Sequence, residues 1–60
     1  MIKGDKVIIS DADYFHQQGV YLGYFWEELE LPRPTATSSP YLVELKDGKR
    51  VTVGMIQKRS

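Results

Sequence analysis

Residues 41–53 read Tyr-Leu-Val-Glu-Leu-Lys-Asp-Gly-Lys-Arg-Val-Thr-Val. Apolar and polar residues alternate on both sides of Asp47-Gly48, and this alternation is typical of two strands that each bury one face. Asp-Gly between two such runs favours a β-hairpin with a type I′ turn. The alternation predicts five inward-facing residues on this hairpin: Tyr41, Val43, Leu45, Val51 and Val53.

Three further runs of strand length accompany the hairpin. Residues 6–10 follow a Gly-Asp pair, residues 20–26 follow a glycine, and residues 56–58 lie close to the end of the sequence. Gly23, inside the second run, predicts a bulge or a sharp bend. Residues 27–40 contain three prolines and predict a long loop. No stretch shows a sustained helical period, so the sequence predicts an all-β chain of five strands.

The length and composition of the chain limit what it can be. Sixty residues predict a single domain, residues 1–60, of marginal stability, because a chain this short buries only about 60% of its unfolded surface. With no cysteine and one histidine, we expect no disulfide, no metal site and no cofactor. No apolar run approaches the ~20 residues of a membrane span, and the N-terminus does not resemble a signal peptide. We therefore expect a soluble, cytoplasmic protein with no membrane partner.

The chain resembles small SH3-like barrels in the order of its motifs. These are Gly-Asp-x-Val-x-Ile at 4–9, Gly-Val-x-Leu-Gly at 19–23, Tyr-x-Val-x-Leu-x-Asp-Gly at 41–48 and Val-x-Val at 51–53. The resemblance implies a small five-stranded SH3-like barrel. The first half is similar to the KOW-type barrels of ribosomal and transcription-elongation proteins, which contact RNA or protein. The chain departs from those barrels at Asp11 and Asp13, where basic residues would suit RNA.

Aromatic residues are concentrated in the first half of the chain. Six of them fall within residues 14–26, which is more than one small core can hold. Exposed aromatic rings favour protein interfaces, because they bury a large area at a low cost in side-chain entropy. We therefore expect a surface, completed by the 27–40 loop, that binds a protein partner or a second copy. Its predicted residues are Tyr14, Phe15, Phe25, Trp26 and Arg33. The alternative is that loop aromatics only cover the ends of the barrel.

The charged residues are separated along the chain, although the net charge is zero. Residues 11–30 contain five acidic residues and no basic one, whereas residues 46–59 contain five basic residues and one acidic one. A basic cluster can contact phosphates, so nucleic-acid binding is the second hypothesis. Its candidate residues are Lys46, Lys49, Arg50, Lys58 and Arg59. The alternative is that these cations keep the edge strands from pairing with other chains.

Nothing in the sequence predicts a catalytic residue. His16 has Asp13 three positions before it but no nucleophile in a recognisable arrangement. The acidic residues of 27–30 lack the spacing of a calcium-binding loop. An enzyme would need an oligomer to form a shared pocket, because a small barrel has little interior space. We therefore expect a non-enzymatic protein-interaction module or accessory subunit, in which the separated charges orient the partner.

Overall fold

Five antiparallel strands form one sheet in the computed structural model, which describes residues 1–59. The strands are β1 (Lys6–Ile9), β2 (Gln18–Tyr24), β3 (Tyr41–Leu45), β4 (Arg50–Val53) and β5 (Ile56–Lys58). Their order in the sheet is β4-β3-β2-β1-β5, so β5 returns to pair with β1. The prediction of an all-β chain is confirmed. The open five-stranded sheet is compatible with an SH3-like fold.

The sheet curves around a small core of aliphatic side chains. Side chains alternate along each strand, so β1 directs Val7 and Ile9 inward, as β4 does its valines. The buried cluster consists of Val7, Ile9, Tyr21, Val43, Val51 and Val53. Complete burial of each aliphatic member stabilises the fold by about 1.5–3 kcal/mol. The prediction that Val43, Val51 and Val53 face the core is confirmed, and Tyr41 and Leu45 pack against it half-buried.

The bulge predicted at Gly23 is present and changes which residues face inward. The pairing of β2 with β3 shifts register between Tyr21 and Gly23, where Gly23 has φ +100°. An extra residue in one strand reverses the faces beyond it. Tyr21 lies before the bulge, opposite Val43, and is buried at 8% exposure. Strict alternation places Tyr24 on the face of Val20 and Leu22, whereas its pairing with Tyr41 places it on the face of Tyr21. At the end of the strand, Tyr24 remains 40% exposed.

A single helical turn, α1 (Phe25–Glu28), follows β2 directly. The prediction that strand β2 continues through Phe25 and Trp26 is therefore wrong, and the irregular segment begins at residue 29. The turn ends in a Schellman-type arrangement, in which Glu30 has φ 57°. The Leu31 amide donates to the Trp26 carbonyl at 2.7 Å, and the Glu30 amide donates to the Glu27 carbonyl at 3.3 Å. Pro32 follows and cannot continue a helix.

The β3–β4 hairpin has a different turn from the predicted one. Type I′ requires positive φ at both central residues, but Gly48 alone has it in this turn, at +86°. The Gly48 amide donates to the Leu45 carbonyl at 2.9 Å, and the Leu45 amide donates to the Lys49 carbonyl at 2.8 Å. These bonds define a three-residue loop, a type I turn followed by a glycine bulge. The Asp47 carboxylate accepts from the Lys49 amide at 2.9 Å and fixes the loop.

The β1–β2 connection contains one turn of 3₁₀ helix, Ala12–Tyr14, capped by the side chain of Asp11. The molecule measures 30 × 21 × 21 Å, with a radius of gyration of 10.7 Å. Across residues 1–59, no helix has the length and apolar character needed to cross a membrane.

Candidate partner-binding groove

Three aromatic rings form a stack where β2 meets α1, and this stack is called the aromatic wall. The Tyr24 ring stacks on Trp26 at a centroid distance of 4.6 Å and an interplanar angle of 5°, and on Tyr41 at 6.0 Å and 20°. Strand pairing creates this arrangement, because Tyr24 lies opposite Tyr41 in the β2–β3 register. The Phe25 amide donates to the Pro40 carbonyl at 3.0 Å, which holds the first residue of α1 against the residue that precedes β3.

A groove with a volume of about 480 Å³ lies between this aromatic wall and the proline-containing loop. Seven residues complete its lining: Glu27, Arg33, Pro34, Thr35, Ala36, Thr37 and Pro40. Glu27 and Arg33 form no ion pair with any residue in the described range 1–59. The groove therefore combines an aromatic wall with one negative and one positive charge that a ligand can pair.

Tyr21 connects the aromatic wall to the core. Its ring meets Tyr41 edge-on at 6.0 Å, and its side chain belongs to the buried cluster. Burial raises the pKa of the Tyr21 hydroxyl above its usual value. Three neighbouring acidic groups act in the same direction: Tyr24, Tyr41 and Glu27. The phenol therefore stays neutral at physiological pH, and the wall rests on a packed, uncharged base.

The structure separates the five predicted partner-binding residues. Trp26 and Arg33 both line the groove. Phe25 is half-buried and meets Trp26 edge-on at 5.2 Å, so it positions the wall from behind. Tyr14 packs against the core cluster, and Phe15 is exposed beside His16 and lines no part of this groove. Two of the five therefore share one site, and a third positions it.

Sequence reasoning did not place Tyr24 and Tyr41 in the site. Strict alternation directs Tyr41 toward the core and places Tyr24 on the face opposite to Tyr21, whereas the pairing of Tyr24 with Tyr41 brings both rings into the wall. The signal that would have identified Tyr24 is Gly23, because a bulge at that position reverses the face of the next residue.

The structure also places the residues of the predicted basic cluster in different surroundings. Arg50 pairs with Glu44 at 3.3 Å, and Lys58 lies 3.9 Å from Asp5. Lys49 is exposed after the hairpin turn. Lys46 and Arg59 line a shallow depression on the outer face of the sheet, together with Lys6, which the sequence analysis did not select.

The described part of the chain contains no group of three or more histidine, aspartate or glutamate side chains arranged to hold a metal ion. Comparisons with protein-family models, with curated proteins and with solved structures found no match for the chain.

Proposed function

We propose that the protein is a non-enzymatic protein-interaction module or accessory subunit, and that the groove beside Tyr24, Trp26 and Tyr41 receives an extended segment of a partner protein. One observation carries the proposal: three rings stack into a solvent-accessible wall next to two charges without an ion-pair partner among residues 1–59. Aromatic anchors of this kind dominate the affinity of protein interfaces.

The wall is ordered before a partner arrives. Strand pairing fixes Tyr24 against Tyr41, and Tyr21 packs beneath them in the core. A rigid surface loses little conformational entropy on binding, so more of the contact energy appears as affinity. Glu27 and Arg33 give the groove a polarity that orients the incoming segment, because charge complementarity favours one direction of binding over the other.

We also propose a binding role like that of the KOW-type barrels, which the first half of the chain resembles. The motifs in residues 4–9 and 19–23 are similar to those of KOW-type barrels, which contact protein or RNA. A KOW-like binding role is consistent with a domain whose accessible features are surface grooves.

A peptide selection tests the proposed groove. Random peptides displayed on phage are selected on the wild-type protein, and individual binders are then titrated against variants. Trp26 is the only tryptophan in the chain, so its fluorescence reports occupancy of the groove directly. We expect the binders to shift its emission and to lose about 30-fold in affinity with Tyr24→Ala, the magnitude typical of an interface hot spot.

The matched control is Phe15→Ala, which removes an exposed aromatic ring outside the groove. Binders of the groove keep their affinity for this variant. Circular dichroism of both variants establishes that the fold survives. Binders that lose equal affinity with Tyr24→Ala and Phe15→Ala, or a selection without Tyr24-dependent binders, would contradict the proposed function.

A further inference from the structure

A second recognition surface crosses the outer face of the sheet, away from the aromatic groove. It consists of two adjoining depressions with volumes of about 440 and 390 Å³. Both are lined by Gln18, Leu45 and Lys46, so they join into one channel. None of the residues lining this channel lines the aromatic groove.

One end of the channel is positively charged. Lys6 and Arg59 are neighbours, since the Arg59 amide donates to the Lys6 carbonyl at 2.8 Å, and Lys46 lies at the junction of the two depressions. Within residues 1–59, these three cations have no carboxylate within ion-pair distance. The carboxylates that line the channel are engaged elsewhere: Glu44 pairs with Arg50, and Asp47 accepts from an amide of its own turn. The cations are therefore available to an anionic ligand.

At the other end of the channel, the lining residue His16 stacks on Phe15, an exposed ring that is not itself part of the lining. The rings of Phe15 and His16 stack at 3.8 Å and 23°, and Phe15 is 61% exposed. His16 has φ 67°, a left-handed conformation that is uncommon for a residue with a side chain. Its amide donates to the Ile9 carbonyl at 2.8 Å, which anchors this backbone to β1. His16 thus places an exposed aromatic pair beside the depression that Lys46 also lines.

We propose that this channel binds single-stranded nucleic acid. Lys6, Lys46 and Arg59 contact successive phosphates, and an unpaired base stacks on the Phe15–His16 pair. A basic groove combined with aromatic rings is the arrangement by which proteins bind single strands without sequence preference. An acidic peptide has charges for the cations but no planar base to stack on the ring pair, and a duplex keeps its bases stacked within itself. The chemistry of the whole channel therefore favours a single strand.

Fluorescence anisotropy with labelled oligo-dT and oligo-U of about 12 nucleotides tests this proposal, because sites of this class cover ~4–16 nucleotides. Three neutralised phosphates predict a slope of log affinity against log salt near −2 for single strands. The affinity then falls about 20-fold between ~50 and ~200 mM salt. We expect Lys6→Gln to reduce the magnitude of the slope by about 0.7. Phe15→Ala weakens binding about tenfold and leaves the slope unchanged, because it removes stacking but no charge.

The matched control is Lys49→Gln, which removes the same charge at a residue that lines neither depression. The proposal requires that this variant keep the wild-type slope. Equal effects of Lys6→Gln and Lys49→Gln would overturn it in favour of diffuse attraction. Equal affinity for duplex DNA, full affinity in Phe15→Ala, or equal competition by polyglutamate would each overturn the assignment of a single strand. No binding at low salt would overturn the site itself.

Discussion

At the scale of single residues, Tyr21 couples the stability of the fold to pH. The unfolded state releases this proton near pH 10, whereas burial keeps the pKa of the folded Tyr21 higher. Between these two pKa values the folded state binds more protons than the unfolded state, so the free energy of unfolding decreases as pH rises. The contribution of Tyr21 is complete below about pH 10 and is lost as pH rises through the folded pKa.

Urea unfolding at about pH 8 and about pH 11 measures this coupling. We expect the free energy of unfolding to fall more steeply with pH in the wild type than in Tyr21→Phe, which has no phenol to ionise. Comparing the two slopes removes the contribution of all other titrating groups. The same slope in both proteins would show that Tyr21 does not link folding to pH.

The alternation of apolar and polar residues predicts much of the core but is wrong at particular positions. Val43, Val51 and Val53 are buried as the period-two pattern predicts, because each lies in a regular strand. Tyr24 lies beside Tyr41 and not on the face of Val20 and Leu22, because the bulge at Gly23 reverses its face, and a local pattern does not specify where register shifts.

At the scale of elements, the end of α1 contains a strained residue that limits stability. Glu30 occupies the left-handed position of the Schellman-type arrangement, which glycine adopts without a steric cost. We expect Glu30→Gly to increase the free energy of unfolding by about 1 kcal/mol, the approximate cost of this conformation for a residue with a Cβ. Thermal unfolding followed by circular dichroism measures it.

Glu28→Gly is the control for that change. Glu28 lies inside α1 and pairs with Lys3 at 2.8 Å, so the same substitution there removes helix propensity and an ion pair and should lower stability. A decrease in stability for both variants would contradict the role assigned to Glu30.

The long loop packs closely against the corner between β4 and β5, because a Cβ at Gly54 would collide with the Ser38 carbonyl. The Gly54 amide also donates to the Asp11 carboxylate of the β1–β2 connection at 2.9 Å. We expect Gly54→Ala to lower the free energy of unfolding by about 2 kcal/mol, because backbone atoms must move apart. It should also speed proteolysis within residues 29–40. Met55→Ala, an exposed neighbour, is the control and should change neither quantity.

The β3–β4 turn shows how much of the structure of an element the local sequence determines. Asp47-Gly48 correctly predicts a hairpin, since both residues favour turns. It does not determine the turn type, because Gly48 fits the left-handed position of either turn. The α1 turn was missed for a related reason: four residues are too few to show a helical period, and strand-forming aromatics occupy half of them.

At the scale of the whole molecule, both candidate surfaces depend on contacts between distant segments. The 27–40 loop and Trp26 were sufficient to predict an interaction surface, but Tyr41 joins the wall only through its pairing with β2. Lys6 and Lys46 come together only because β1, β2 and β3 are adjacent in the sheet. Sequence spacing groups Lys46 with Lys49 instead, so the folded arrangement of charge could not be predicted from charge clustering along the chain.

The stability of the whole molecule depends on a small number of buried side chains. Substitution of Ile9 measures how much one of them contributes. A chain of this length is stable by roughly 3–9 kcal/mol, and removing a buried isoleucine side chain costs about 2–5 kcal/mol. Ile9 is fully buried between neighbours on both sides of β1. We expect Ile9→Ala to lower the melting temperature by about 15 °C, whereas Ile9→Val costs only about 1 kcal/mol because most of the side chain remains. Calorimetry distinguishes the two. If Ile9→Ala had the same melting temperature as the wild type, the core would not be the main source of stability. The loops that close over the sheet would then have to supply it.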